Sequence, residues 1–237
     1  MPVWRVSSGL VLLPVAVPML GKGNKRAQPY AMRKNIPANV PNLSRRAFVI
    51  GLPLFAAGCV STDYGSRTDG GHNIAAVDTT LIGPGLMRAE VPWTGKEKPG
   101  TVVVNIKQRQ LFVVESGGRA IRYGIGVGRS QGANFRGAGV VGRKEKWPYW
   151  TPTGNMMAAI PEYRKFSSGL PGGEENPLGP RALYLYRDGK DTMFRLHGTI
   201  EPDTIGQAVS SGCIRLFNQD IIDLYDRVPL GAQVKVI

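Results

Sequence analysis

From about residue 101 onward, apolar positions come in short runs broken by turn residues. Thr101 to Ile106 is followed by a polar link at 107–110, then by Leu111 to Glu115. Ser116-Gly117-Gly118-Arg119 reads as a hairpin turn leading into a third run, Ala120 to Val127. Ala182 to Tyr186 and Met193 to Leu196 are two further strands, parted by Arg187-Asp188-Gly189-Lys190, and Gln233 to Ile237 forms a last one. One stretch has helical spacing: Ile221, Ile222, Leu224, Tyr225 and Val228, with Asn218 as N-cap and Pro229 and Gly231 as terminators. Many short strands with Gly/Pro turns predict a mainly β domain, sandwich or barrel-like, with one short helix near the C-terminus. No repeat of 20–50 residues is visible.

The middle, 128–179, is weakly periodic and reads as long loops. It holds Arg143-Lys144-Glu145-Lys146-Trp147-Pro148-Tyr149-Trp150-Thr151-Pro152 and a second segment, 172–179, that includes Asn176. Basic residues interleaved with aromatics suit a glycan- or peptide-binding wall, with Trp147 and Trp150 facing the ligand. The other reading is a proline-fixed surface loop whose tryptophans pack on the core. The glycines of 124–128 precede no helix and are not a dinucleotide-binding fingerprint.

Charge then divides the 237 residues into regions. The net charge of +13 resembles a nucleic-acid signal, but eight basic residues and no acidic ones precede Cys59, leaving 22 basic against 17 acidic afterwards. A basic excess concentrated in a leader indicates targeting, and no nucleic-acid-binding module appears. Ser44-Arg45-Arg46-Ala47-Phe48 is a twin-arginine pattern, an uncharged run to Gly58 follows, and small residues lead directly into Cys59. That run is far shorter than the roughly 20 residues of a membrane span. It resembles a bacterial lipobox, which implies acylation of Cys59; the alternative is a short buried helix with a structural cysteine. Val60, where an Asp would signal inner-membrane retention, implies by resemblance to Gram-negative lipoproteins a periplasmic protein anchored in the outer membrane. Both Met1 and Met32 stand as possible starts. The expected organisation is a leader (1–59), a flexible tether and N-terminal extension (60–99, with 60–73 the small polar part), and a folded domain (100–237). Two cysteines and two histidines exclude a disulfide framework, a four-cysteine zinc site and a histidine cage.

The candidate chemistry lies in 194–216. Cys213 is the one cysteine outside the leader, and an exported unpaired thiol is an oxidation liability unless buried or used. Ser210-Ser211-Gly212 before it can turn tightly and aim backbone N–H groups at one point, as an oxyanion requires. His197 ends a strand before Gly198, and an imidazole beside a thiol makes a nucleophile. Taken alone, a cysteine and a distant histidine are more often packing residues.

With its context the segment resembles the L,D-transpeptidase catalytic domain (YkuD-type). His197-Gly198-Thr199 and Ser210-Ser211-Gly212-Cys213-Ile214-Arg215 match that family's histidine and cysteine motifs, and the likeness extends over about 100–237. Many members carry a second histidine where Ser211 stands; the family's base is the histidine that His197 matches. The resemblance implies acyl transfer on peptidoglycan stem peptides without metal or organic cofactor. Cys213 is the implied nucleophile and His197 the base, oriented by the Gly198 carbonyl. Gly212 and Cys213 N–H groups would form the oxyanion hole, supported by Ser210 and Ser211. Arg215 is expected either to bind a stem-peptide carboxylate or to pair with Asp220 or Asp223. Trp147, Trp150 and Asn176 are expected along the substrate. A stem-peptide amine as acceptor gives a 3→3 crosslink, an outer-membrane protein a wall attachment, and water a carboxypeptidase. A wall-binding lipoprotein with an inert Cys213 is the non-enzymatic reading.

Overall fold

A computed structural model describes residues 63–129 and 134–237. The twin arginines Arg45 and Arg46, the apolar run and Cys59 lie outside the described residues. Thirteen strands are present among those described, β1 (Arg67–Asp69), β2 (His72–Ile74), β3 (Ala89–Pro92), β4 (Val102–Asn105), β5 (Gln110–Glu115), β6 (Arg119–Gly124), β7 (Val127–Gly128), β8 (Gly137–Lys146), β9 (Arg181–Arg187), β10 (Lys190–His197), β11 (Ala208–Ser210), β12 (Ile214–Arg215) and β13 (Gln233–Val236). Two α-helices join them, α1 (Gly154–Ala159) and α2 (Asn218–Arg227).

Nine strands form one mixed sheet in the order β12-β10-β9-β8-β13-β4-β5-β6-β3. Its pairs are antiparallel except β13 with β4 and β10 with β12. Gly126, just past β6, exchanges two backbone hydrogen bonds of 2.9 Å with Arg215 of β12. Residues from opposite ends of the strand order thus meet, and the sheet curls toward closure as the barrel-like reading expects. One face carries Val141, Leu183, Leu185, Leu196, Ile214 and Leu216 into the core, where α2 adds Ile221 and Leu224. The mainly β expectation holds, and the anticipated strands and helix are all present.

Three details differ from the sequence reading. Asn218 is the first residue of α2 rather than its cap, and its Oδ1 accepts from the Thr199 N–H at 2.9 Å. The middle is not all loop, because β8 runs ten residues through the centre of the sheet. Its glycines and charges hide it: a Cβ at Gly142 would overlap the Tyr186 ring, so only glycine lets that side chain lie across the strand.

The third concerns the flexible tether expected at 60–73, whose described part is held against the domain. Asp69 accepts two hydrogen bonds of 2.7 Å from the Arg181 guanidinium and one of 2.8 Å from Trp147 Nε1. The Tyr64 hydroxyl donates to buried Asp220 at 3.0 Å, and Gln219 Nε2 donates to the carbonyls of Tyr64, Gly65 and Ala75. Further on, β3 is an edge strand of the main sheet. Short polar sequences look like linkers because their partners lie a hundred residues away.

Asp69→Ala should weaken the domain by about 2 kcal/mol, since it leaves the Arg181 guanidinium, largely buried, without its counter-charge. The Arg181 hydrogen bonds hold the Asp69 carboxyl below its ordinary range. Its contribution is therefore present at neutral pH and lost on acidification. Urea unfolding of the two proteins should differ at pH 7 and converge well below about pH 4; equal stability at pH 7 refutes the anchor.

Candidate active site

The site is a consequence of strand register. In the parallel β10–β12 pair, Leu196 lies opposite Ile214 and His197 opposite Arg215. Side chains alternate faces along a strand, so Leu196 and Ile214 enter the core while His197 and Arg215 point the other way. Two residues back, Arg195 on β10 and Cys213, just ahead of β12, line the same cleft as His197. Across β9 the same face shows Tyr184 opposite Arg195 and Ala182 opposite His197. Fifteen residues of intervening chain are thereby folded away, and His197 and Cys213 line one cleft of about 460 Å³.

Cys213 follows a tight turn. The Ser210 hydroxyl donates to the Cys213 carbonyl at 2.7 Å and accepts from the Gly212 N–H at 3.1 Å. Gly212 has φ of 135°, a conformation that side chains resist. The Gly212 N–H is therefore already engaged, which corrects the expected two-donor oxyanion hole. The Cys213 N–H has no acceptor among the described residues. Ser211 is exposed at the cleft rim.

His197 is 5% exposed, and its Nδ1 lies 2.6 Å from the Gly198 carbonyl. A carbonyl only accepts, so Nδ1 carries the proton and Nε2 keeps its lone pair. Burial, aided by the positive charges of Arg215 and Arg195, pushes the imidazole pKa down to about 4 despite that hydrogen bond. Burial likewise pushes the Cys213 thiol up, although a hydrogen bond from the Arg195 backbone and the Arg195 and Arg215 charges act against it. Both groups are uncharged at neutral pH, so the cleft rests with a thiol and a neutral base among its lining residues.

The remaining expected residues divide. Trp150 lines the cleft, 7% exposed, edge-on to Tyr163 at 5.3 Å. Trp147 does not line it: its Nε1 bonds Asp69 and its ring packs on His72 at 4.3 Å, because it anchors the N-terminal hairpin. Asn176 is also not a lining residue. Fully buried, it donates to the carbonyls of Pro148, Leu170 and Pro171 and accepts from the Leu178 N–H, clasping the two loops together. Arg215 lines the cleft but pairs with Glu201 at 2.5 Å, not with Asp220 or Asp223, which face Arg88.

Arg143, Tyr184, Met193 and Arg195 also line the cleft and carried no role in the sequence reading. Met193 sits at φ 64° inside a register shift of β10, 66% exposed, with its carbonyl 4.0 Å from Cys213 Sγ. Arg143 stood in the basic-aromatic run, but only the register of β8 shows which way it points.

A mainly β domain whose sheet presents a histidine and a cysteine to one arginine-lined cleft is the class this architecture defines. Residues 99–236 match the YkuD family, the L,D-transpeptidase catalytic domain, and the chain belongs to it. It is 38% identical over 144 residues to the probable L,D-transpeptidase ErfK/SrfK of Salmonella typhimurium, a match covering 57% of this chain and 43% of that protein. The probable L,D-transpeptidase YbiS of Escherichia coli is 36% identical over 142 residues, covering 57% and 44%. The chain thus spans less than half the length of these curated relatives. Among solved structures, one described as a probable carnitine operon oxidoreductase caia from Brucella melitensis is 46% identical, covering 68% of this chain and 99% of that one, with a TM-score of 0.45. An L,D-transpeptidase from Mycobacterium smegmatis is 21% identical over 58% of each chain, with a TM-score of 0.43.

The ring state of His197 is open to measurement. Imidazole NMR should show a neutral, Nδ1-protonated ring from pH 8 to about pH 5, with protonation centred near 4. Unfolded chains take up this proton near pH 6.5, so the folded domain loses stability as pH falls between the two values. Protonation at the ordinary value would contradict the described burial.

Proposed function

We propose that the domain is a peptidoglycan L,D-transpeptidase working through a cysteine thioester. The observation that carries this is the convergence of His197 and Cys213 on one face of the sheet, in a family member whose cleft lining contains three arginines and no carboxylate. The donor is a tetrapeptide stem. His197 Nε2 takes the Cys213 thiol proton as sulfur attacks the carbonyl at the L-centre of diaminopimelate. Charge developing on the carbonyl oxygen is stabilised by the Cys213 N–H. As the tetrahedral intermediate collapses, the bond to the terminal D-Ala nitrogen breaks and His197 returns the proton to that leaving amine. The thioester is then attacked by an acceptor amine, whose proton passes to His197 and on to the departing thiolate.

A neutral resting pair suits this order of events: sulfur becomes charged only as the proton moves to a base already oriented by Gly198. The acceptor we favour is a second stem peptide, giving a 3→3 crosslink. An outer-membrane protein or water uses the same acyl-enzyme. Acylation of Cys59 would hold the domain to the outer membrane beside this substrate.

Muropeptide mass spectrometry with purified protein tests the proposal. Wild type should produce 3→3 dimers and release D-Ala, while Cys213→Ala and His197→Ala should each lose at least about a thousandfold in rate. Their combination should be no worse, because residues that act as a unit are not additive. Trimmed monomers alone would identify water as acceptor, and near-normal crosslinking by His197→Ala would sink the mechanism. For the anchor, Cys59→Ser should move the protein from the membrane to the soluble fraction with crosslinking intact; an unlipidated, soluble wild type overturns that part.

A further inference from the structure

The cleft's three arginines are not equivalent. Arg195 is committed, since its two terminal nitrogens donate to the two oxygens of Asp191 at 2.7 and 2.9 Å. Arg215 is held by Glu201 and Thr204. Arg143 makes no side-chain hydrogen bond among the described residues. Its nearest carboxylate, Glu145, lies 3.3 Å away, and that residue also accepts from the Tyr184 hydroxyl at 2.6 Å. The Arg143 side chain is 49% exposed, yet its guanidinium carbon is fixed 3.7 Å above the Tyr184 ring. Arg195 occupies the same ring at 4.3 Å. Such stacking orients a planar cation while leaving its edge N–H donors available.

Position follows from a bulge. Val141 pairs with Leu185 on the core side, but Arg143 pairs with Tyr184, so one extra residue, Gly142, is inserted between them. In the same sequence without a bulge, Gly142 would pair with Tyr184 and Arg143 with Leu183 on the core face; the bulge re-aims the guanidinium into the cleft. Tyr184 stands two strands from Cys213, about 10 Å at ordinary strand spacing. In diaminopimelate six bonds separate the L-centre carbonyl carbon from the D-centre carboxylate carbon, about 7 Å extended. A hydrogen bond of about 3 Å spans the remainder.

We propose that Arg143 binds the free D-centre carboxylate of the donor's diaminopimelate, its N–H edge donating to both oxygens, and so selects donors bearing that charge. This rests on the stem-peptide reading above. Arg143 is in this role a specificity-determining residue that touches substrate remote from the reacting carbonyl.

The test is binding without turnover. Full-length Cys213→Ala protein is titrated calorimetrically with a tetrapeptide donor carrying the D-centre carboxylate and with its carboxamide analogue. The carboxylate should bind about tenfold or more tightly, the low end for a charge-assisted pair half open to water. Adding Arg143→Gln should abolish the preference by weakening the carboxylate donor alone, and Arg143→Lys should restore only part of it, having charge without the fork. In otherwise wild-type protein, Arg143→Gln should raise KM for the carboxylate donor with kcat nearly unchanged. A preference that survives Arg143→Gln, or none in Cys213→Ala protein, overturns the assignment. If wild type still crosslinks in either case, Arg143's role alone has failed; if it neither binds nor crosslinks stem peptides, the stem-peptide reading falls with it.

Discussion

The parallel pairing of β10 with β12 is the constraint on which the site depends. Two residue pairs, Leu196 with Ile214 and His197 with Arg215, decide which side chains enter the core and which meet in the cleft. A slip of one residue in this ladder would send Cys213 toward the core while His197 stayed in the cleft. So short a ladder is weak alone and is secured from both sides. The Leu216 N–H continues it to the His197 carbonyl at 2.9 Å, and Gly126 pairs with Arg215 across the far edge. Beneath it, Leu196, Ile214 and Leu216 are buried with α2. The core thus specifies the register, and the register the chemistry.

Desolvation then sets the protonation states. His197 sits among Arg195 and Arg215, which both oppose a proton on the ring, and burial acts in the same direction. Those arginines favour a thiolate, while burial opposes it more strongly. One environment therefore keeps the base ready to accept and the nucleophile protonated until a substrate arrives. Asp191 and Glu201 bind Arg195 and Arg215, Glu145 lies 3.3 Å from Arg143, and none of the three carboxylates lines the cleft, so the lining presents no negative charge to an anionic ligand.

How much of this the sequence revealed depended on how local the signal was. Strands β4, β5 and β9 carry apolar runs between turns, β10 has Met193, Phe194 and Leu196, β13 alternates Val234 and Val236 with polar residues, and α2 has clear helical spacing; all were legible. His197 and Cys213 were legible through the motifs around them. β8 was not, because a strand of glycines and charges has no hydrophobic alternation, and its environment comes from β9 and β13. Trp147 and Asn176 had the residue types of a binding wall, but their hydrogen-bond partners turned them inward. Arg143 depends on a bulge, which inverts the face of every residue after it and has no local signature beyond Gly142.

The N-terminal hairpin shows why those inward turns matter. Asp69 joins Arg181, at the start of β9, to Trp147, where β8 runs into the loop carrying Tyr149 and Trp150. Trp147 itself adopts φ of 48°, outside the usual range for a bulky residue, and its N–H donates to the Pro180 carbonyl at 2.8 Å. Asn176 fixes the same loop from the other side through Pro148 and Leu170. Neither residue touches the cleft, yet together they hold the wall that Trp150 presents to it. The chain immediately ahead of the catalytic domain is thus part of the scaffold of its binding cleft, because one carboxylate ties the first strand to both the sheet and the wall.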